Sequence, residues 1–210
     1  MRGLLFLVLG IAVAACSTTG PAAADSPESA PESVELHDLG PAPEFMNETW
    51  LNSQVPLRLS ALRGRVVLLE MWTFGCVNCQ HVIPKLIGWQ QTYAGQGLVV
   101  IGNHYPEFGY ERSMENLQAA LERWEITYPV AQDNEGDTWR AYGTHYWPTL
   151  YLIDKAGRIR YEHIGEGAYE ETEAAIRQLL AEPGGSETGR YSPNSDSPGS
   201  GPTAVPLSEA

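Results

Sequence analysis

Residues 66–82 read V-V-L-L-E-M-W-T-F-G-C-V-N-C-Q-H-V, and the fold follows from how this stretch divides. Val66 to Trp72 is an apolar run interrupted only by Glu70, the pattern of a strand buried on both faces. Thr73-Phe74-Gly75 ends the run. Val82, Ile83, Leu86, Ile87 and Trp89 then recur at helical spacing. Cys76 and Cys79 therefore sit where a central strand hands over to a helix. The first turn of a helix has unpaired N–H groups and the positive end of the macrodipole, and both favour a thiolate over a thiol. Cys76, at the very start, is expected to titrate at roughly 6–7.5 instead of ~8.5. Two cysteines so close in sequence can also close a small disulfide ring. The stretch points to redox chemistry.

Composition narrows the possibilities. The 210 residues carry 13 Lys and Arg against 26 Asp and Glu, a formal charge of −13. Residues 36–182 alone hold 11 basic and 19 acidic side chains, so the acidity is general and not the property of a tail. Nucleic acid, whose phosphates call for clustered Lys and Arg, is excluded as a partner. The length suits one domain with tails.

The third cysteine, Cys16, belongs to the N-terminus. Arg2 precedes an apolar run from Leu4 to Ala15, which as a helix reaches only about 18 Å against a hydrocarbon core of about 30 Å. A short basic start, an apolar middle and small residues before a cut site describe a secretory signal. Val13-Ala14-Ala15-Cys16-Ser17 resembles a bacterial lipobox, which implies cleavage before Cys16 and lipid attachment to it. The alternative is an ordinary secretory peptide with an incidental cysteine. Either way the mature protein is expected to be exported, where disulfides persist. With the lipid, it is anchored to a membrane facing the periplasm or another extracytoplasmic space.

Residues 17–43 are rich in Ala, Pro, Ser, Thr and acid and read as a flexible tether. Residues 44–182 read as the folded domain and 183–210, rich in Pro, Gly and Ser, as a disordered tail. Within the domain, Thr49–Leu51 and Val55–Leu59 suggest an N-terminal β-hairpin turning at Asn52-Ser53-Gln54. The central strand and the redox helix follow, with Pro84 expected to kink that helix. Gly97–Asn103 is a second doubly buried strand, parallel to the first because a helix intervenes. Ser113–Glu125 is an inserted amphipathic helix with Ser113 as N-cap. Short elements follow at Tyr128–Ala131 and Asp137–Tyr142. Thr149–Ile153 and Arg158–His163 form a hairpin around Asp154-Lys155-Ala156-Gly157, and Tyr169–Ala181 closes the domain as a helix. The result is an α/β fold with one central mixed sheet and helices on both faces.

These residues resemble the thioredoxin-like fold. W-T-F-G-C-V-N-C, the proline five positions past the second cysteine (Pro84) and Trp147-Pro148-Thr149 before a strand carry the likeness. Trp50–Gly64 and the helix near 113–125 resemble the additional elements of the TlpA/ResA branch of extracytoplasmic thiol–disulfide oxidoreductases. More narrowly, W-L-N-S, L-R-G-R-V-V-L-L, F-G-C-V-N-C, P-E-F, Y-P-V-A-Q-D-N, T-W-R-A-Y-G, Y-W-P-T-L-Y-L-I-D and Y-E-E-T-E-A-A-I-R-Q-L-L recur in order in DipZ-type thioredoxin-like domains. The likeness covers about residues 44–182.

The resemblance implies roles by position. Cys76 is the exposed nucleophile and Cys79 the resolving thiol, a redox-active disulfide with no other cofactor. Pro148 is a cis proline beside the pair, and Glu70 stands in the place of the buried acid that accepts the Cys79 proton. Trp147 offers its backbone to an extended substrate, with Thr149, Trp72 and Phe74 as further substrate-binding residues. Implied partners are protein thiols and disulfides, an electron-donor protein such as a membrane thiol transporter, and the membrane through the lipid. The resemblance favours a reductant over an oxidant. Asn78 stands where many thioredoxins have proline, and Leu98–Asn103 lacks the lysine that often pairs with the buried acid. The redox potential therefore stays open within ~−270 to −120 mV.

Other readings of the same residues differ in chemistry. A zinc site would need a second cysteine pair, which the chain lacks, and a disulfide staple spanning three residues gains little loop entropy. Haem attachment would need His after Cys79, where Gln80 stands. Glu70 has an alternative as a strand-end acid that is salt-bridged or solvated. His81 reads as a helix-surface residue, and His104 and His145 as structural histidines near strand ends. Two rival functions remain: Cu(I) handling by Cys76, Cys79 and a histidine, and a redoxin-type thiol peroxidase.

Overall fold

The computed structural model describes residues 33–183. Six strands form one sheet in the order β1-β4-β3-β2-β5-β6. They are β1 (Trp50–Leu51), β2 (Val66–Trp72), β3 (Leu98–His104), β4 (Val130–Gln132), β5 (Thr149–Ile153) and β6 (Ile159–Ile164). The helices are α1 (Val77–Tyr93), α2 (Met114–Arg123), α3 (Asp137–Ala141) and α4 (Tyr169–Ala181). β2, β3 and β4 run parallel, while β5, β6 and β1 are antiparallel to their neighbours. This is the mixed sheet expected of a thioredoxin-like α/β fold.

Every residue of β2 and β3 is buried, because helices cover both faces and neither strand can present a polar side to water. On one face Val66, Leu68 and Trp72 pack with α1 (Val82, Ile83, Leu86), α2 (Leu117, Leu121) and α4 (Ala175, Ile176, Leu179). On the other, Val67, Leu69 and Met71 meet Trp139 and Tyr142 together with Phe45, Leu57, Leu59 and Leu62 from the N-terminal segment. Pro84 lies inside α1, which nevertheless runs as one helix from Val77 to Tyr93. Ser113 caps α2 as expected, its hydroxyl oxygen accepting from the Asn116 N–H at 3.3 Å.

Two expectations change. The N-terminal β-hairpin does not form: β1 pairs with β4, through Trp50 with Ala131 and Leu51 with Val130. Asn52, at φ 55°, turns the chain away, and its side-chain amide donates to the Ile126 and Tyr128 carbonyls at 2.8 and 3.1 Å. Pro56 has no N–H for a ladder. The N–H groups of Leu59 and Ser60 go to the Glu44 carboxylate, which anchors a 3-10 turn over Leu59–Leu62.

The other change concerns residues 34–42, read from composition as tether, which lie along β6. His37 N–H donates to Arg160 O at 3.0 Å, Leu39 N–H to Ile159 O at 2.9 Å and Ala42 N–H to Gly157 O at 3.0 Å, and Asp38 pairs with Arg158. An exposed edge strand offers unpaired backbone groups to any extended neighbour, whatever its side chains. The expected signal segment 1–16 with Cys16, the expected tether up to residue 32 and the expected tail from 184 lie outside the described residues.

Candidate active site

β2 delivers the chain to the site and α1 takes it away. Between them, Cys76 is the N-cap of α1, with extended backbone (φ −80°, ψ 116°). Its Sγ accepts from the backbone N–H of Cys79 at 3.3 Å. Both thiols are free; Cys76 is half-buried and Cys79 fully buried.

Their environments push the two thiols in opposite directions. The Cys76 thiol is lowered to about 7, chiefly by a hydrogen bond from the Cys79 thiol, with help from the Cys79 and Asn78 backbone N–H groups and against partial burial. The Cys79 thiol is driven far above the usual range by burial first, then by serving as donor to Cys76, then by the charge of Glu70. One sulfur is thus prepared to attack, and the other is held protonated.

Glu70 shares its sheet face with Leu68 and Trp72, the face on which Cys79 packs. It is wholly buried and neither carboxyl oxygen has a hydrogen-bond partner among the described residues. Burial raises its proton affinity well above the ordinary range, and the nearby Cys76 charge adds to this. The salt-bridged or solvated alternative for Glu70 is therefore not what the structure has. Opposite Glu70 in the register is Gly102, over which the Trp72 indole lies; a Cβ there would meet Trp72 Nε1 at 2.8 Å.

The Trp147–Pro148 peptide is cis, and Pro148 is buried, its carbonyl accepting from Gly165 N–H at 2.8 Å. Trp147 is half-buried and stacks on Trp139 at 4.7 Å and on Tyr105 at 5.9 Å. Phe74, also half-buried, stacks on His104 at 5.2 Å. Two of the expected substrate contacts need correction. Trp72 is completely buried, and Thr149 is buried with its hydroxyl donating to the Tyr146 carbonyl at 2.8 Å, so neither side chain is open to a substrate. Each belongs to a strand covered on both sides, and closeness in sequence to the motif does not bring it to the surface.

The histidines divide in the same way. His104 is buried against Thr73 Oγ1 at 3.3 Å, and burial lowers its ring to about 3, so it stays neutral. His81 pairs with Glu166 at 3.0 Å on the surface of α1. His145 is exposed beside Tyr146. Among the described residues no three His, Cys, Asp or Glu side chains are grouped to hold a metal ion, and no helix is long and apolar enough to cross a membrane.

One residue of the site had no signal in the sequence. Glu111, fully buried, accepts from the N–H of Gly75 at 2.9 Å, of Glu107 at 2.6 Å and of Phe108 at 2.8 Å. Its carboxylate ties the loop after β3 to the residue before the nucleophile. Gly75 is required there: a Cβ would fall 2.2 Å from Glu111 Oε1 and 2.9 Å from Tyr110 Oη.

Comparison with known proteins agrees with this arrangement. The DipZ protein of Mycobacterium tuberculosis is 44% identical over 156 residues, which are 72% of this chain but 22% of DipZ, so the chain spans about a fifth of that protein's length. The thiol-disulfide oxidoreductase YkuV of Bacillus subtilis is 26% identical over 143 residues, 68% of this chain and 95% of YkuV. The crystal structure of the thioredoxin-like superfamily protein SPOA0173 superposes with a TM-score of 0.64 at 31% identity, covering 69% of this chain and 99% of that one. A profile of the AhpC/TSA family matches residues 40–162. With more than half of its length so matched, and with this sheet and paired thiols, the chain belongs to the AhpC/TSA family and has the thioredoxin-like fold.

Proposed function

We propose that the chain is a thiol–disulfide oxidoreductase that reduces disulfides in proteins through Cys76 and Cys79. The observation that carries this reading is the unequal pair at the start of α1, with a half-exposed thiol near 7 beside a buried one held protonated. Near neutral pH about half of Cys76 is thiolate.

The Cys76 thiolate attacks one sulfur of a substrate disulfide; the S–S bond breaks, a mixed disulfide forms, and the other substrate sulfur leaves as thiolate. Cys76 then no longer has a charge or accepts the Cys79 hydrogen bond, two of the influences that kept Cys79 protonated. Ionised Glu70, with both oxygens unpaired, takes the Cys79 proton. The Cys79 thiolate attacks Cys76 Sγ, closing the Cys76–Cys79 disulfide and releasing the second substrate thiolate. Two electrons pass to the substrate. Its two thiolates take up two protons, one supplied through Glu70 and the other matching that lost when Cys76 ionised. Pro148, buried behind its cis peptide, is read as the proline beside the pair, and the half-buried Trp147 and Phe74 as the surface a substrate segment meets.

The same thiol supports the reductant reading. A nucleophile near 7 stands with thioredoxin (~7) and not with the strong oxidant DsbA (~3.5), whose very acidic thiol stabilises the reduced form. A reductant must be recharged, so the reading includes an electron-donor protein that reduces the Cys76–Cys79 disulfide; a membrane thiol transporter is the class that suits an exported protein. Export and anchoring through a lipid on Cys16 rest on Arg2, the apolar run from Leu4 to Ala15 and Ala14-Ala15-Cys16. Mass measurement of the mature N-terminus decides between lipid on Cys16 and a plain cut.

The activity test is insulin reduction by the wild type, Cys76→Ser and Cys79→Ser, alongside peroxide consumption. Reduction by the wild type and by neither variant supports exchange. Equal activity in all three refutes it, and peroxide consumption that depends on Cys76 without insulin reduction favours the peroxidase. Equilibration against glutathione then gives the potential, with a value near the thioredoxin end expected.

A further inference from the structure

Beside the nucleophile, on the α2 side, is a cavity of about 550 Å³. Neither Trp147 nor Pro148 lines it. Phe74, Tyr110 and Trp124 supply aromatic walls, Ala119 and Ala120 of α2 leave the room, and Arg123 is its one charged lining group. Phe74 and Gly75, which line it, directly precede Cys76 in the chain, so the cavity reaches the residue before the nucleophile.

We propose that this cavity is a substrate subsite that seats an aromatic side chain flanking the reactive cysteine of the protein substrate, with an adjacent carboxylate drawn to Arg123. The proposal rests on the disulfide-exchange reading and states which substrates that exchange prefers.

The walls are built before any ligand arrives. Glu111 holds Gly75, Glu107 and Phe108 through three backbone N–H groups. Asn116 Nδ2 donates to the Tyr110 carbonyl at 2.8 Å and Gln80 Nε2 to the Phe74 carbonyl at 3.0 Å, joining α2 and α1 to the two aromatic walls. Phe74 is braced by His104 at 5.2 Å, and Trp124 by Trp72 at 6.5 Å. A preorganised site spends little affinity on ordering. The volume lies within the range of about 300–1,000 Å³ typical of small-ligand pockets and holds one aromatic side chain with its backbone.

Charge sets the second requirement. The chain carries −13 overall, a poor surface for acidic partners in general. Arg123, in the last turn of α2, is exposed and makes no ion pair among the described residues. Arg112, Arg140, Arg158, Arg160 and Arg177 all do. An unneutralised guanidinium at the mouth of an aromatic cavity recognises a carboxylate close to a ring.

The test uses full-length protein and three symmetric peptide disulfides of equal length, in which the cysteine is flanked by Phe-Glu, Phe-Lys or Ala-Ala. Bis(2-hydroxyethyl) disulfide is the small control. Wild type is expected to show a kcat/KM for Phe-Glu about tenfold above Ala-Ala and about threefold above Phe-Lys. Ala119→Trp fills the cavity and is expected to erase the preference for Phe, mainly through KM. Arg123→Glu is expected to reverse the Glu-over-Lys order. Both positions are exposed, and neither variant is expected to change reduction of the small disulfide. Equal kcat/KM for the three peptides, or preferences that survive both substitutions, overturns the subsite. Failure of the wild type to reduce even the small disulfide overturns the exchange reading instead.

Discussion

The backbone N–H of Cys79 lies 3.3 Å from the Sγ of Cys76, and the Cys79 thiol is also the largest single stabiliser of the Cys76 thiolate. The resolving residue therefore tunes the nucleophile before it replaces the substrate on it. The rate of alkylation of Cys76 by iodoacetamide is expected to rise with pH and inflect at about 7. In Cys79→Ala the side-chain donor is lost while the helix start remains, and the inflection moves up toward ~8.5. Thiolate absorbance at 240 nm followed across pH checks both values; an unmoved inflection would give the whole effect to the backbone.

Glu70 makes two separable predictions, one kinetic and one thermodynamic. Glu70→Gln keeps the shape but removes the base. Formation of the mixed disulfide with a substrate should be nearly unchanged, while its resolution slows by about 10²–10⁴-fold, the usual worth of general base catalysis. Quenched-flow trapping of the mixed disulfide separates the two steps.

The stability effect has a definite sign. The folded state raises the proton affinity of Glu70, so it binds the proton more tightly than the unfolded chain does. That contribution is fully present below the unfolded carboxyl value of ~4.3 and is lost as pH rises through the folded one. Glu70→Gln should therefore stabilise the protein at pH 8 relative to wild type, with the difference shrinking toward pH 4. Urea unfolding at both pH values measures it; a destabilised variant at pH 8 would mean that the carboxylate has partners.

The Glu111 carboxylate is the only partner of three backbone N–H groups among the described residues. Glu111→Ala leaves three part-buried donors without their carboxylate and is expected to cost about 1–3 kcal/mol. Gly75→Ala forces the same carboxylate aside, because the new Cβ falls 2.2 Å from Oε1; overpacking of this kind costs about 1–3 kcal/mol. Both should also lower insulin reduction by more than they lower stability near 25 °C, since the displaced loop borders Cys76. Guanidinium titration beside the activity assay tests this. A variant with lost stability and full activity would confine Glu111 to folding.

How much of this was legible depended on what each residue answers to. β2, β3, β5 and α4 were readable because a strand buried on both faces and a helix with one apolar stripe leave periodic marks in the chain. The positions of Cys76 and Cys79 follow from those marks. Glu111 was not readable, because its role is to accept N–H groups from a loop and from Gly75, 36 residues away, and no local pattern records that. The resemblance put Trp72 and Thr149 on the substrate surface, whereas their strands are covered on both faces and every residue along them is buried. The hairpin at Thr49–Leu59 failed because its second half competes with a carboxylate cap from Glu44. In residues 34–42 composition spoke for solvent, but the binding is by backbone, which composition does not describe.

That last segment supports a truncation series. A chain beginning at residue 33 keeps four backbone bonds, those from His37, Leu39 and Ala42 to the Arg160, Ile159 and Gly157 carbonyls and that from Ile159 to the Gly40 carbonyl; one beginning at residue 44 loses all four. At about 0.5–1.5 kcal/mol for each hydrogen bond, the longer deletion should lower stability by roughly 2–6 kcal/mol. Asp38–Arg158 adds little, as an exposed ion pair does. Removal of the segment also reopens the β6 edge, so the shorter chain is expected to self-associate at high concentration. Urea unfolding and sedimentation of the two truncated proteins distinguish the outcomes. Equal midpoints would reduce the segment to a passive linker; a lower midpoint with faster sedimentation would make it the structural cover of that edge.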